Sequence, residues 1–333
     1  MSPGRTRPRN RRLSGWDETV NREHRYVLIS PCRDEAGYMR RTLDSVAVQT
    51  APPALWIVVD DGSTDETPAI LEEYRGKLPY LEVVRRTDRG RRSVGPGVIE
   101  AFYAGLETIP LEAFDYLCKL DLDQDLPPRY FELLMARLEA NPRLGTTSGK
   151  PYFRHPRTDA LVPEVCGDEM SVGMTKFYRT ECFREIGGFV RQVMWDGIDC
   201  HRCRMLGWIA ESTDERDLRF LHLRPMGSSQ KGLWTGRVRS GYGQYFMGTS
   251  PLYVLAIAAF RLPKHPVFYG SVAMLWGYFS NAARGVPRYE LPGFRPFLRR
   301  YQHACLVRGK REATRRLNER QEMIWRAAHE RKG

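Results

Sequence analysis

The sequence predicts an α/β fold: a mostly parallel, Rossmann-like central sheet flanked by helices, followed by a C-terminal helical extension. Three observations predict it. Short β-rich runs alternate with helical stretches from Tyr26 onward, acidic clusters recur directly behind those runs, and beyond Arg224 the chain turns basic, Gly-rich and then helical. Alternation of this kind is the pattern of parallel strands joined by crossover helices. A chain of 333 residues is longer than most single cores, which points to one large α/β domain plus a smaller helical region rather than two equal halves.

Taken in order, residues 26–30 and 55–59 are near-continuous apolar runs suited to strands buried on both faces. Between them residues 38–49 carry Met39, Leu43, Val46 and Ala47 at helical spacing. Thr64 or Asp65 can cap the next helix, with Pro68 tolerated in its first turn, and residues 81–84 form a third strand. A fourth, residues 116–120, delivers the chain into Asp121-Leu122-Asp123, and after Pro127-Pro128 a helix runs through Phe131, Leu134, Met135 and Leu138. An acidic loop at the C-terminal end of a parallel strand is where open α/β sheets bind ligands. From about 145 to 223 the pattern loosens into short elements that read as the second half of the same domain. No internal repeat is present.

With 52 Lys plus Arg against 40 Asp plus Glu, the formal net charge is +12, which favours anionic partners. The first segment, residues 1–24, carries Arg5, Arg7, Arg9, Arg11 and Arg12 with no apolar periodicity and reads as a disordered basic arm without the apolar run of a signal peptide. Seven cysteines scattered from Cys32 to Cys305 are an odd set without a pairing framework, which fits a reducing cytosol. Cys200-His201-Arg202-Cys203 has no second Cys pair at zinc-site spacing. No apolar run reaches the length of about 20 residues that spans a bilayer. Two shorter runs, 252–260 and 267–279, are flanked by Arg or Lys and hold Tyr253, Phe268, Tyr269, Trp276 and Tyr278, a composition that suits either a membrane interface or interdomain helices.

Three motifs carry chemistry. Ser30-Pro31-Cys32-Arg33-Asp34-Glu35 is a turn after the first strand, where Pro31 is expected to stop the ladder and the charged residues overhang the sheet's C-terminal edge. Asp60-Asp61-Gly62-Ser63-Thr64-Asp65 places two adjacent carboxylates at the end of the second, a repulsion that needs a hydrogen-bonded ligand or a cation to offset it. In Asp121-Leu122-Asp123-Gln124-Asp125, carboxylates two apart can converge on one hard divalent cation that retains positions for phosphate oxygens. Between the second and third motifs, Arg89-Gly90-Arg91-Arg92 leads into a helix from Val98, and its arginines suit phosphate.

In their order and spacing these motifs resemble the family 2 glycosyltransferases of GT-A fold, over about residues 26–222. The resemblance implies a metal-dependent inverting hexosyltransferase that uses a nucleoside-diphosphate sugar donor. It implies a donor site of Pro31, Arg33, Asp34, Glu35, Asp60 and Asp61, with Asp61 on the base and Asp34 or Glu35 lining the nucleoside pocket. Arg91 and Arg92 would join that site, and Lys231 and Arg237 would come from a basic lid. Asp121 and Asp123 would hold Mn²⁺ or Mg²⁺, and His222, ending a probable strand, would complete the metal shell. Trp195-Asp196-Gly197-Ile198-Asp199, read as preceding a helix, resembles the family's Glu-Asp pair with Trp in place of Glu. Asp196 is favoured as the catalytic base over Asp199.

The expected division is a basic arm at 1–24, a catalytic domain at 25–223 with donor half 25–125 and acceptor half 126–223, and a lid with helical extension at 224–333. The acceptor would be a lipid-linked sugar or a polysaccharide precursor, met at the cytoplasmic side with peripheral membrane contact. A Gln-x-x-Arg-Trp motif, which marks processive synthases, is absent, so single transfers are expected. A non-catalytic nucleotide-sugar-binding protein is the alternative, with a nucleic-acid-binding protein built on the basic arms behind it; for the transferase itself nucleic acid is not an expected partner.

Overall fold

The computed structural model describes residues 25–90, 95–155, 157–224, 232–262 and 268–330. The basic arm, Arg91, Arg92 and Lys231 lie outside the described residues. Eleven strands are described: β1 (Tyr26–Cys32), β2 (Leu55–Asp60), β3 (Leu81–Arg85), β4 (Tyr116–Leu120), β5 (Gln124–Asp125), β6 (Leu144–Ser148), β7 (Lys150–Arg154), β8 (Leu161–Pro163), β9 (Thr175–Arg179), β10 (Ile209–Ser212) and β11 (Arg219–His222). The described helices are α1 (Met39–Ala47), α2 (Thr67–Arg75), α3 (Pro96–Leu106), α4 (Tyr130–Ala140), α5 (Thr180–Glu185), α6 (Trp195–Met205), α7 (Leu233–Met247), α8 (Pro251–Arg261), α9 (Tyr269–Ala283), α10 (Phe294–Arg308) and α11 (Lys310–His329).

Seven strands form the central sheet in the order β10-β6-β9-β4-β1-β2-β3, and β5-β11-β7-β8 form a smaller one. The β1, β2 and β3 strands pair in parallel, as do β1 and β4, whereas β9 is antiparallel to both of its neighbours, β4 and β6. Both faces of β1 and β2 are buried, as continuous apolar runs require. One face packs Met39, Leu43, Ile70, Phe131 and Leu134 from α1, α2 and α4; the other packs Ile99, Phe102, Phe183 and Cys203 from α3, α5 and α6.

Pro31 does not stop the ladder. Pairing of β1 with β4 ends at Ile29, but pairing with β2 continues through Pro31 to Cys32, and a residue without an N–H is tolerated where one side of a strand is already unpaired. Asp65 does serve α2: its carboxylate accepts the Thr67 N–H at 2.9 Å, from outside the helix, and Pro68 sits in the first turn.

Helices α10 and α11 fold back on the α/β part. Phe294 and Leu298 of α10 pack with Ile198 of α6, the Trp325 ring of α11 meets Trp208 at 5.8 Å, and Arg143 is ion-paired with Glu322 at 3.1 Å. Helices α7 and α9 run antiparallel and nearly touch, because a Cβ on Gly241 would fall on the Met274 carbonyl oxygen and one on Gly277 would fall on that of Val238. Helix α8 lies antiparallel to α9: the Ser271 hydroxyl donates to the Ala258 carbonyl and the Tyr278 hydroxyl to the Thr249 carbonyl. Among the described residues no helix is long and apolar enough to cross a membrane.

Candidate functional site

The loops behind β1 and β2 are stitched into one ledge. The Asp34 N–H donates to Ser63 Oγ at 2.9 Å, the Thr64 N–H donates to the Asp34 carboxylate at 2.8 Å, and the Glu35 N–H donates to Thr67 Oγ1 at 2.9 Å. Asp34 is held at φ 52°, a left-handed conformation that this double attachment stabilises. Gly62, at φ +78°, admits no side chain, since a Cβ would fall on the Asp88 backbone. Asp60 is buried and takes the Ser63 N–H at 2.9 Å, so it shapes the turn. The neighbouring Asp61 carboxylate is buried between two guanidinium groups, Arg86 at 2.7 Å and Arg89 on its other oxygen. Arg33 spans the ledge, donating to the Asp61 carbonyl at 2.9 Å and to Asp88 at 2.6 Å. The two acids of the second motif therefore have separate tasks, one structural and one facing cations.

Behind β4 the third motif divides as well. Asp121 is engaged by Lys119, a buried lysine whose Nζ lies 2.5 Å from the carboxylate and 3.0 Å from the Gly173 carbonyl. Burial raises the Asp121 pKa, against the lowering effect of the lysine. Asp123 faces the other way, toward β11. The antiparallel register pairs His222 with Gln124, and the Leu223 N–H donates to the Asp123 carbonyl at 2.9 Å. His222 Nε2 thereby reaches 3.6 Å from the Asp123 carboxylate, and its Nδ1 lies 3.0 Å from Glu164, which follows β8. Burial would lower the His222 pKa, but hydrogen bonds to Asp123 and Glu164 outweigh it and raise it to about 9. Burial opposes ionisation of Asp123 too, and His222 and Arg224 reverse that effect.

Asp121, Asp123 and His222 do not gather into one tight trio: Lys119 holds Asp121, and only Asp123 and His222 converge. The described His/Cys/Asp/Glu trio with ligand atoms all within 4.8 Å is elsewhere, at Glu181, Glu185 and His329. The donor chemistry at Asp123 and His222 nevertheless fits a divalent cation. A carboxylate and an imidazole suit Mn²⁺, the imidazole's second nitrogen is oriented by a carboxylate as metal-ligating histidines are, and a cationic group already sits there. That group is Arg224, whose guanidinium bridges Asp123 at 2.9 Å and Glu35 at 2.6 Å. Gln124 Oε1, buried beside Asp123, has no hydrogen-bond partner among the described residues.

The two candidate bases lie inside α6, not ahead of it. The helix starts at Trp195 after Met194, whose φ of 62° breaks the chain direction without any Ser, Thr, Asp or Asn cap to announce it. Asp199 is fully buried, with Lys176 Nζ at 2.5 Å and the Tyr178 hydroxyl donating to the same oxygen. Its lysine partner is equally buried, and burial that would lower the Lys176 pKa is overcome by Asp199, so it stays raised. Asp196 is only half-buried, and no other residue among those described hydrogen-bonds or ion-pairs its carboxylate. Burial raises its pKa. A Cβ on Gly173 would lie 3.0 Å from its Oδ2, so Asp196 rests against the same Gly173–Met174 backbone that takes Lys119 and the Asp121 N–H.

Residues 27–164 match the family described as Glycosyl transferase family 2. The chain carries a family 2 glycosyltransferase domain. Its match with the poly-β-1,6-N-acetyl-D-glucosamine synthase of Staphylococcus epidermidis is 27% identical over 144 residues, 41% of this chain and 32% of the relative, so the chain spans about a third of that protein's length. GalNAc-T7, in a crystal structure with UDP, GalNAc and Mn²⁺, is similar in fold at a TM-score of 0.53 and 16% identity, covering 85% of this chain and 57% of that one. A mannosyltransferase from Pyrobaculum calidifontis, in complex with GDP-Man and Mn²⁺, aligns at a TM-score of 0.49 and 21% identity over 92% of this chain and 86% of its own. The GT-A architecture of this glycosyltransferase domain, with its helical C-terminal region, is thus the one the motifs implied.

Arg237 lies half-buried in the first turns of α7. Arg86, Glu164, Arg224, Lys119 and Lys176 were not identified as site residues by sequence. A lone lysine inside an apolar strand, as at Lys119, was the one available signal.

Proposed function

We propose that this glycosyltransferase domain transfers a sugar from a nucleoside-diphosphate sugar to an acceptor hydroxyl with inversion, with Asp196 as the base. The observation that carries the reading is the contrast within α6: Asp199 is locked by Lys176 and Tyr178, while Asp196 is open, half-buried and raised in pKa by burial. A carboxylate of that kind takes the acceptor proton as the hydroxyl oxygen attacks the anomeric carbon and the nucleoside diphosphate departs from the opposite face. Asp61, with Arg86 and Arg89, and Arg33, Asp34 and Glu35 form the nucleoside and phosphate side. Asp123 and His222 would hold Mn²⁺ or Mg²⁺, with Glu164 orienting the imidazole, and Asp121 is kept beside them by Lys119. When bound, the ion supplies a Lewis acid for the leaving diphosphate.

Family membership and the Mn²⁺ and UDP of GalNAc-T7 support the donor class, and the S. epidermidis synthase supports a saccharide acceptor, free or lipid-linked. A panel of UDP, GDP and dTDP sugars with Mn²⁺ or Mg²⁺, read by product formation, tests it. Transfer should appear with one donor class and vanish in Asp123→Ala. Wild-type turnover in that variant overturns the metal assignment, and tight donor binding without product overturns catalysis.

A further inference from the structure

We propose that α8 and α9 dock the protein onto a bilayer surface rich in anionic lipid. The two helices are amphipathic in the reverse of the usual sense. On α9 the positions at spacing three, four and three, namely Tyr269, Val272, Trp276 and Phe279, are exposed, with Trp276 at 61% and Val272 at 54%. The small residues Gly270, Ala273 and Gly277 face inward against α7 and α8. On α8, Leu252 at 57% and Leu255 at 47% repeat the pattern while Val254 and Ala258 are buried. A contiguous face of large apolar side chains held outward by inward glycine and alanine is the mark of an interaction surface.

Charge decides what covers it. From Leu218 to Tyr289, 72 residues, the chain contains no Asp or Glu and nine Lys or Arg. Arg261 ends α8 and Arg284 follows α9, both exposed, so the two helices that carry the apolar face end in cations and this stretch of chain supplies no acidic residue to offset them. A second copy of the chain would bring like charge against like charge. Anionic headgroups complement the border, while Trp and Tyr beside aliphatic side chains suit the depth just below them. The helices lie in the interface and do not cross it: α9 has 15 residues, about 22 Å of helix against a hydrocarbon core of about 30 Å.

The face is tied to the site. A Cβ on Gly243 of α7 would meet the Met194 side chain, at the start of the helix that carries Asp196. Docking would therefore set the height of Asp196 above the lipid surface, which suits an acceptor hydroxyl presented there. The docking itself does not depend on the transfer reaction and is read without it.

Full-length protein is mixed with vesicles of phosphatidylcholine plus phosphatidylglycerol, or of phosphatidylcholine alone, and binding is followed by flotation and tryptophan emission across a salt series. Binding to the anionic vesicles with blue-shifted emission, weakening with salt, is expected. Arg284→Gln should lower the affinity about fivefold. The double variant Trp276→Ser, Phe279→Ser should lower it by about tenfold or more per side chain while keeping the wild-type melting temperature. Absence of binding at low salt overturns the proposal. So does binding that the double variant leaves unchanged, or a lipid-indifferent dimer that the double variant converts to monomer.

Discussion

Asp196 and Asp199 are three residues apart on one helix, and their substitution should separate chemistry from folding. Asp199→Asn removes the charge that balances Lys176, and both side chains are fully buried. The remaining contacts of Lys176 Nζ are the Asp196 carbonyl at 2.9 Å and Cys200 Sγ at 3.2 Å, neither of which neutralises an ammonium. Breaking a buried pair from one side costs about 3–5 kcal/mol, which for a domain of roughly 200 residues lowers the melting temperature by about 6–20 °C. Asp196→Asn keeps the shape of a half-buried side chain that no other described residue hydrogen-bonds, and loses only the longer-range attraction of Lys176 and Lys119, so its melting should stay within about 1 kcal/mol of wild type. Turnover should instead fall by about 10²–10⁴-fold, as when a general base is removed. Because burial raises the Asp196 pKa, the wild-type rate should decline as pH falls through a value above the ordinary carboxylate range, where the base becomes protonated. Thermal melts and release of nucleoside diphosphate measure both effects. A stable but inactive Asp199→Asn beside an active Asp196→Asn would refute the reasoning.

Asp61→Ala leaves Arg86 and Arg89 without their shared carboxylate, and donor affinity by calorimetry should fall about tenfold or more. Gly241→Ala drives a methyl group into the Met274 carbonyl and should cost about 1–3 kcal/mol, read as a lower melting temperature, with the helical module loosening first in hydrogen exchange. His201 is buried against Phe294 and Tyr301, and burial lowers its pKa to about 3. The unfolded chain takes up that proton below about pH 6.5 while the native state does not, so stability declines by about 1.4 kcal/mol per unit as pH falls toward 3. His201→Leu should flatten that slope in melts from pH 7 to 4.

The parallel strands and the three acidic loops were legible because each rests on a local pattern. The apolar runs of β1, β2 and β4 are unbroken, and adjacent carboxylates behind a strand announce themselves. The partners of those carboxylates were not legible. Arg224 comes to Asp123 across 101 residues and to Glu35 across 189, and no spacing rule encodes such pairs. Glu164 follows a three-residue strand, and β5 is two residues long, both below the length at which alternation is readable. Lys176 sits in β9 beside Phe177 and Tyr178 with nothing nearby in sequence to pair with it, yet it is buried because Asp199 arrives from α6. The start of α6 has no capping residue to mark it in the sequence, since Met194 turns the chain through its backbone alone.

The antiparallel strand β9 carries a consequence for anyone cutting the gene. It lies between β4 and β6, bonded to both, so residues 175–179 close a gap in a sheet whose other strands largely precede them. A fragment ending where the family match ends, at residue 164, would expose a bare row of amides and carbonyls along β4 and strand β6 with no neighbour on that side. Such open borders recruit other chains, and the shortened protein should collect in inclusion bodies unless synthesis continues at least through β10.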